Sequence, residues 1–264
     1  MHLSETVVLG PAETPEGTAR VRIFTPGREV PFAGHPTVGS AIFLAANGHA
    51  GPLPEEGEVT VVLEENVGPV PVVVRCEYGE PVFARFTTAV LPEHPPAPHS
   101  AADLAAMVGL SAEDVCDGEP SYGLGGPNGL SPEMVSCGLP YYCIPVESVD
   151  AVNRSALDMP LWKSMGVATG WEDVDVHVRM YAPGSGVPED PATGSAAAAL
   201  SGYLSAADGR EEGTLSWTVE QGIKMGRPSL LYVEADRSGG ETTAVRVGGT
   251  AAFVSSSMME VPNP

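Results

Sequence analysis

The amino-acid sequence predicts an α+β fold with two β-rich halves, each built around one buried helix. Three observations support this prediction: short alternating runs typical of strands, a proline-rich segment near the middle of the chain, and an internal repeat that leads twice into an apolar run. With 264 residues and 43% hydrophobic side chains, the chain can form one large domain or two medium ones.

The strand-like runs fall into two groups along the chain. In each run apolar and polar residues alternate, and Gly, Pro or Asn follows where a turn is expected. The first group resembles an antiparallel meander, and the second lies in the later half. The predicted strands are 21–24, 59–63, 70–76 and 82–86, then 177–181, 213–219, 229–235 and 243–247.

A run of prolines separates the two groups. Four of the eight residues at 91–98 are proline, a density that neither a helix nor a central strand accommodates. This predicts an N-terminal lobe at 1–96 and a C-terminal lobe at 97–253, and a return of 254–264 to the first lobe would suit such a fold. Ser100 precedes a run of helix formers, which predicts a surface helix at the start of the second lobe.

An internal repeat is the most informative feature of the sequence. Residues 34–41 (GHPTVGSA) resemble residues 189–196 (EDPATGSA), with Pro, Gly, Ser and Ala in the same register. Each copy leads into an apolar run, of which one ends at Asn47-Gly48 and the other near Gly209. Because these runs are apolar on nearly every face, the repeat predicts one enclosed helix in each half.

Composition and charge disfavour several classes of function. The net charge of −21 would repel nucleic-acid backbones and anionic lipid surfaces, so the expected partner is a small molecule. No apolar stretch is long enough to span a membrane, and the N-terminus lacks a signal-peptide pattern, which predicts a cytoplasmic protein. Cys76, Cys116, Cys137 and Cys143 lack the spacing of a disulfide framework or a zinc site, so no metal is expected.

The turns before the two apolar runs favour an anion-binding site. A Pro is accepted in the first turn of a helix, and the residue before it can be the N-cap, so a plain capping role for Asp190 stays open. Gly39-Ser40 and Gly194-Ser195 are expected beside helix N-termini, where free N–H groups and the helix dipole attract negative charge. Two such termini across a cleft would hold a carboxylate and stabilise an enolate-like intermediate.

Five ordered stretches make the chain resemble the PhzF-like family of phenazine biosynthesis. They are residues 20–26 (RVRIFTP), 31–39 (PFAGHPTVG), 179–183 (RMYAP), 189–197 (EDPATGSAA) and 221–229 (QGIKMGRPS). The resemblance covers almost the whole chain. It implies the diaminopimelate epimerase-like fold, with two pseudo-symmetric lobes, each a β-barrel-like sheet wrapped around a central helix, and an active site in the cleft.

The same resemblance implies the site residues. Epimerases of this fold use two cysteines as acid and base, but His35 and Asp190 stand in those regions here. In the PhzF-like branch a glutamate carries the proton, and the stretch Leu3-Ser4-Glu5 is similar to that motif. The predicted catalytic residues are Glu5, His35 and Asp190, and the predicted substrate-binding residues are Ser4, Gly34, Gly194 and Ser195.

The reaction that this resemblance implies is a proton transfer within a small carboxylate-bearing substrate, without metal or organic cofactor. In the family's named example, a glutamate moves a proton from C3 of trans-2,3-dihydro-3-hydroxyanthranilate to another ring carbon. To serve as acid and base, Glu5 is expected to have a pKa raised by burial in a dry cleft. A homodimer is also implied.

Two departures from the family pattern leave an alternative open. Family members usually carry a further opening strand and helix before the Leu-Ser-Glu motif, whereas this sequence starts at the motif, with His2 in place of the usual Asn. The alternative is a non-catalytic protein of the same fold that binds a small anion, or a truncated pseudoenzyme. A serine hydrolase that uses Ser195 is disfavoured because the sequence lacks a Gly-x-Ser-x-Gly elbow.

Overall fold

The computed structural model describes residues 4–116, 118, 129–157, 165–169, 174–182 and 187–258, with the backbone alone for 165–169. These residues form a mixed α+β structure, as predicted. The strands are β1 Thr6–Gly10, β2 Ala19–Phe24, β3 Glu29–Val30, β4 Glu56–Glu65, β5 Gly68–Glu77, β6 Glu80–Thr87, β7 Glu133–Ser136, β8 Pro140–Pro145, β9 Met165–Thr169, β10 Val176–Ala182, β11 Val187–Asp190, β12 Gly213–Gln221, β13 Ser229–Ser238 and β14 Glu241–Gly249. The α-helices are α1 Gly34–Ala46, α2 Ala101–Met107, α3 Val149–Arg154 and α4 Gly194–Ala207.

The strands pair into one continuous sheet whose order contains a repeat. The order is β1-β2-β4-β5-β6-β14-β13-β12-β10-β9-β8-β7, with β3 beside β2 and β11 beside β10. β2 and β4, on either side of α1 in the chain, pair in parallel, and so do β10 and β12, on either side of α4. Antiparallel strands follow in both halves, and β6 pairs antiparallel with β14. The two halves therefore share one topology and meet at β6 and β14.

The strand path stays open over the described residues. β1 and β7 lie at its two ends, so strand pairing does not close either half into the expected β-barrel-like sheet. Several strands nevertheless pack against each central helix. β1, β4, β5 and β6 pack against α1, and β7, β8, β12, β13 and β14 pack against α4. The lobe boundary near residue 96 remains a prediction.

Alternation in the sequence predicted eight strands, and all eight form. They correspond to β2, β4, β5, β6, β10, β12, β13 and β14. In β5, for example, Val70, Val72 and Val74 are buried while Pro71 and Arg75 are exposed, which is the two-residue period of a half-buried strand. The strands that the sequence did not predict are short, with two to six residues each.

The repeat correctly predicted two enclosed helices. Nine of the 13 residues of α1 and eleven of the 14 residues of α4 are buried. The predicted surface helix is α2, and the side chain of Ser100 caps it by accepting a hydrogen bond from the Asp103 N–H at 3.2 Å. No helix in the described part of the chain has the length and apolar character needed to cross a bilayer. The four cysteines are free thiols.

The two central helices begin at different points of the repeat. α4 begins at Gly194, and pairing with β10 keeps Asp190 extended in β11. α1 begins at Gly34, five residues earlier in the aligned repeat, because its proline is accommodated in the first turn. Gly39 and Ser40 consequently lie inside α1. The capping role left open for Asp190 is excluded, because Thr193 is the N-cap of α4, and the prediction that Gly39-Ser40 flank a helix N-terminus is wrong.

The N-termini of α1 and α4 touch through two glycines. A Cβ added to Gly34 would lie 2.5 Å from the Cα of Gly194, and a Cβ added to Gly194 would lie 2.7 Å from the Cα of Gly34. Since the opposing atoms belong to the backbone, they cannot rotate away as a side chain would. The contact therefore requires glycine on both sides, and it brings the free first-turn N–H groups of both helices together.

A buried carboxyl group lies against the start of α1. Glu65, the last residue of β4, is 4% exposed. The Thr37 hydroxyl lies 2.6 Å from Oε1 of Glu65 and 2.8 Å from the Ala33 carbonyl, but it has one hydrogen for these two acceptors. Both contacts are satisfied when Glu65 is protonated and donates to Thr37. Burial raises the pKa of Glu65 to about 7, in agreement with a neutral carboxyl group.

The change in unfolding free energy that Glu65→Gln causes is expected to be more favourable at pH 8 than at pH 5. The folded pKa of about 7 lies above the ordinary value of 4.5. Wild type therefore loses up to about 3 kcal/mol of unfolding free energy as the pH rises through that interval, whereas glutamine does not ionise. Urea unfolding at both pH values measures this. Glu56→Gln, an exposed position of the same strand, is the control, and a pH-independent effect of Glu65→Gln would contradict the prediction.

Gly34→Ala is expected to lower the free energy of unfolding by about 1–3 kcal/mol, because the new methyl group overlaps the backbone of α4. Gly39→Ala in the same helix is the matched control. A Cβ there meets no atom within 4 Å, so this change should raise the free energy of unfolding by about 0.5–1 kcal/mol. Chemical denaturation measures both variants, and equal effects would argue against the glycine contact.

Candidate active site

The N-termini of α1 and α4 border one pocket of about 430 Å³, a volume within the usual range for small-molecule sites. Residues from both halves of the sequence line it. The predicted site residues that lie on its wall are Glu5, Gly34, His35, Asp190, Gly194 and Ser195. The fold thus brings together side chains that are more than 150 positions apart in the chain.

Glu5 and His35 form an ion pair at the edge of α1. Oε2 of Glu5 lies 3.1 Å from Nε2 of His35, and the Glu5 side chain is 15% exposed. The other ring nitrogen, Nδ1, lies 2.9 Å from the carbonyl oxygen of Ala192, so it donates a hydrogen bond there. The imidazole of His35 therefore connects Glu5 in the first half with the segment that precedes α4 in the second half.

This pair shifts the pKa of each member towards its charged form. Burial raises the pKa of Glu5, but the contacts with His35 and Ser4 outweigh burial and hold that pKa below its ordinary value. Burial lowers the pKa of His35, but Glu5, Asp190 and the Ala192 carbonyl together bring it above its ordinary value. The expectation of a raised Glu5 pKa is wrong for this arrangement, because the imidazole stabilises the carboxylate. Glu5 is thus poised to accept a proton.

Asp190 supplies a second carboxyl group in a different environment. It is 7% exposed, and burial is the main cause that raises its pKa. Its Oδ2 accepts a hydrogen bond from the Thr193 hydroxyl, whereas Oδ1 is buried without a hydrogen-bond partner among the described residues. Gln221 orders this segment, since its side-chain amide donates to the Asp190 carbonyl at 2.6 Å and to the Thr193 hydroxyl at 3.1 Å.

The start of each central helix supplies hydrogen-bond donors. The N–H groups of Gly34, His35, Gly194 and Ser195 belong to first turns and have no acceptor within their helices. The hydroxyl oxygens of Ser195 and Tyr141 lie 2.7 Å apart, so one hydroxyl donates to the other and leaves one hydrogen for a ligand. With the positive ends of two helix dipoles at the same place, this arrangement suits a carboxylate.

Ser4 differs from the other predicted site residues in its position, and Cys137 is a pocket residue with a neutral side chain. Ser4 does not line the pocket; its side chain instead helps to lower the pKa of Glu5. Cys137 does line the pocket, but burial raises its pKa to about 12, so it remains a neutral thiol. Among the residues that the structure describes, no three or more His, Cys, Asp and Glu side chains are grouped as metal ligands would be.

Sequence reasoning missed several residues of this region. Gln221 is the first residue of one of the five stretches that carry the family resemblance, so the sequence marks this position, but it does not indicate the role of the side chain. Tyr141 lies in β8, a strand that alternation did not predict. Arg28, which also lines the pocket, falls between two of the stretches and had no signal.

Glu5→Gln is expected to lower the pKa of His35, because the carboxylate 3.1 Å from Nε2 stabilises the imidazolium. Proton–carbon NMR of the labelled histidine rings, recorded across a pH titration, measures this value. Glu16→Gln, a matched change at an exposed position near the N-terminus, should leave the His35 titration unchanged. A pKa of His35 that does not respond to Glu5→Gln would rule out the ion pair.

The chain is similar to bacterial isomerases over nearly its whole length. It is 39% identical to an uncharacterized isomerase of Mesorhizobium japonicum, over 96% of this chain and 83% of the relative. It is 32% identical to the trans-2,3-dihydro-3-hydroxyanthranilate isomerase of Pseudomonas aeruginosa, over 96% of this chain and 82% of that protein.

A solved structure and a family profile agree with these similarities. The crystal structure of a PhzF-family phenazine biosynthesis protein of Bacillus anthracis superposes with a TM-score of 0.75 at 24% identity, over 96% of this chain and 83% of that one. The profile of the PhzC-PhzF family, described as phenazine biosynthesis-like protein, matches residues 1–257. The resemblance drawn from the five sequence stretches is thereby confirmed, and the chain belongs to the PhzC-PhzF phenazine biosynthesis-like family.

Proposed function

We propose that this protein is a cofactor-independent isomerase that moves a proton within a small carboxylate-bearing metabolite, in the manner of trans-2,3-dihydro-3-hydroxyanthranilate isomerase. The observation that carries this proposal is the convergence of Glu5, His35 and Asp190 on one pocket at the N-termini of both central helices. Family membership and the isomerases among its relatives support the reaction class.

The helix N-termini would hold the carboxylate of the substrate. Four first-turn N–H groups and a hydroxyl of the Ser195–Tyr141 pair are available as donors. When a proton leaves a carbon next to or conjugated with the carboxylate, negative charge moves onto the carboxylate oxygens. Donors that already surround these oxygens bind this state more strongly than the ground state, which lowers the barrier.

Glu5 would carry the proton between two carbons. Its carboxylate takes the proton from a C–H bond, the electron pair left behind forms a new C=C bond, and the neighbouring double bond shifts. Glu5 then gives a proton to the carbon at the far end of this allylic system, so substrate and product contain the same atoms and electrons. While the carboxyl group holds the proton it exchanges with solvent, so in D₂O the product gains deuterium. In a trans-2,3-dihydro-3-hydroxyanthranilate-type substrate the proton would leave C3 and return to another ring carbon.

His35 and Asp190 would support this transfer in different ways. The His35 imidazolium holds Glu5 ionised before the reaction. A bound substrate would displace water from Glu5. This desolvation would raise the pKa of Glu5 towards neutral pH, where one group can serve as both base and acid. Oδ1 of Asp190, which is unpartnered among the described residues, would accept a hydrogen bond from an amino group of the substrate.

On the family resemblance alone, the protein is proposed to act as a homodimer, which analytical ultracentrifugation can test.

The alternative function, which the departures from the family pattern leave open, is a protein of the same fold that binds a small anion in this pocket without turning it over, or a truncated pseudoenzyme. Binding without isotope exchange would favour that alternative.

Glu5→Gln is expected to reduce deuterium incorporation into trans-2,3-dihydro-3-hydroxyanthranilate in D₂O by about 100-fold or more, because it removes the proton carrier. Proton NMR follows both incorporation and turnover. Glu16→Gln, which alters an exposed carboxylate, should react at the wild-type rate. Equal rates in wild type and Glu5→Gln would overturn the role of Glu5, and no exchange in folded wild type would overturn this activity.

A further inference from the structure

Arg28 gives the pocket a charged group that the proposed reaction does not use. It follows β2 and lies on the pocket wall, where it is the sole arginine or lysine among the described lining residues. Most other lining residues beyond the helix N-termini are apolar, among them Phe32, Phe86, Leu139 and Met180. Arg28 is therefore a single cationic residue on a largely apolar wall.

The side chain of Arg28 also differs from most arginines in having no protein partner among the described residues. Eight arginines pair with carboxylates, and Arg237 donates to three backbone carbonyls. The eight paired arginines are Arg20, Arg22, Arg75, Arg85, Arg154, Arg179, Arg210 and Arg246. The chain carries 34 acidic and 13 basic residues, so a carboxylate partner is seldom lacking. Lys224 and Arg227 also lack an ion pair in the described structure, but neither lines the pocket.

The backbone of Arg28 is held in place, while its guanidinium forms no hydrogen bond or ion pair with the described residues. The Thr25 N–H donates to the Arg28 carbonyl at 2.8 Å, and the Thr25 hydroxyl donates to the same carbonyl at 3.0 Å. The Arg28 N–H donates back to the Thr25 hydroxyl oxygen at 3.1 Å. These hydrogen bonds close a tight turn at the pocket wall, so the position of the side chain's base is fixed and its long arm can adjust to a ligand.

We propose that Arg28 binds a second carboxylate of the substrate, so that the site prefers a small dicarboxylate to a monocarboxylate. This inference rests on the proposed function, in which the helix N-termini already hold the first carboxylate. Arg28 takes no part in holding that first carboxylate. A guanidinium can bind a carboxylate through two parallel hydrogen bonds. Glu5 does not compete for Arg28, because it is paired with His35.

Equilibrium binding tests this preference without requiring turnover. Anthranilate serves as the monocarboxylate probe, and 2-aminoterephthalate and 4-aminoisophthalate serve as dicarboxylates with two spacings of the second group. Calorimetry at low ionic strength should give at least one dicarboxylate a dissociation constant about ten-fold or more below that of anthranilate, the gain expected from a charge-assisted hydrogen bond.

Arg28→Gln should abolish this preference, and Arg28→Lys should keep part of it. Lys224→Gln, which changes the net charge equally away from the pocket, should keep all of it. Equal affinity of wild type for all three probes, or equal losses in Arg28→Gln and Lys224→Gln, would overturn the proposal. Arg28 is exposed, so unchanged thermal unfolding should confirm that Arg28→Gln is folded.

The two proposals can fail separately. If exchange depends on Glu5 but no dicarboxylate is preferred, the isomerase survives and the role of Arg28 is wrong. If the preference depends on Arg28 but no substrate exchanges, the second carboxylate site survives and the isomerase is wrong.

Discussion

The backbone contact between Gly34 and Gly194 fixes how the two central helices meet, and the candidate site depends on that contact. Any larger side chain at either position would push the helix N-termini apart, since its Cβ would come within 2.5–2.7 Å of the opposing Cα. The free N–H groups would then no longer converge on one ligand. Nor would His35 reach the carbonyl of Ala192, which it contacts at 2.9 Å. Helix packing and ligand binding therefore both require glycine at these two positions.

Around this contact, the protein places two carboxyl groups in opposite electrostatic environments. Burial raises the pKa of Glu5, but the contacts with His35 and Ser4 together outweigh burial and lower that pKa. Asp190 has a hydroxyl group and a buried oxygen that is unpartnered among the described residues, and burial dominates there and raises its pKa. The two environments therefore act on the pKa values of the two carboxyl groups in opposite directions, which suits them to different roles within one reaction.

Much of the fold could be predicted from the sequence, because alternation and apolar repeats report directly on burial. The details of the site could not, because they depend on contacts between distant segments. The helix starts are one example: two similar stretches begin their helices five residues apart, since strand pairing keeps Asp190 extended while no such pairing restrains His35. The pKa of Glu5 is another, since only the folded chain places an imidazole beside it. Tyr141 and Arg28 have no local pattern that marks them.

The pairing of β6 with β14 has a consequence for how a ligand reaches the site. Main-chain hydrogen bonds run across this junction from one half of the molecule to the other, with Thr87 opposite Arg246 and Ala84 opposite Gly249. Moving the halves apart at this junction would break these bonds, so the pairing opposes that way of opening the site to a ligand. The conformational entropy that is lost in bringing the two helix N-termini together is lost when the chain folds rather than when a ligand binds.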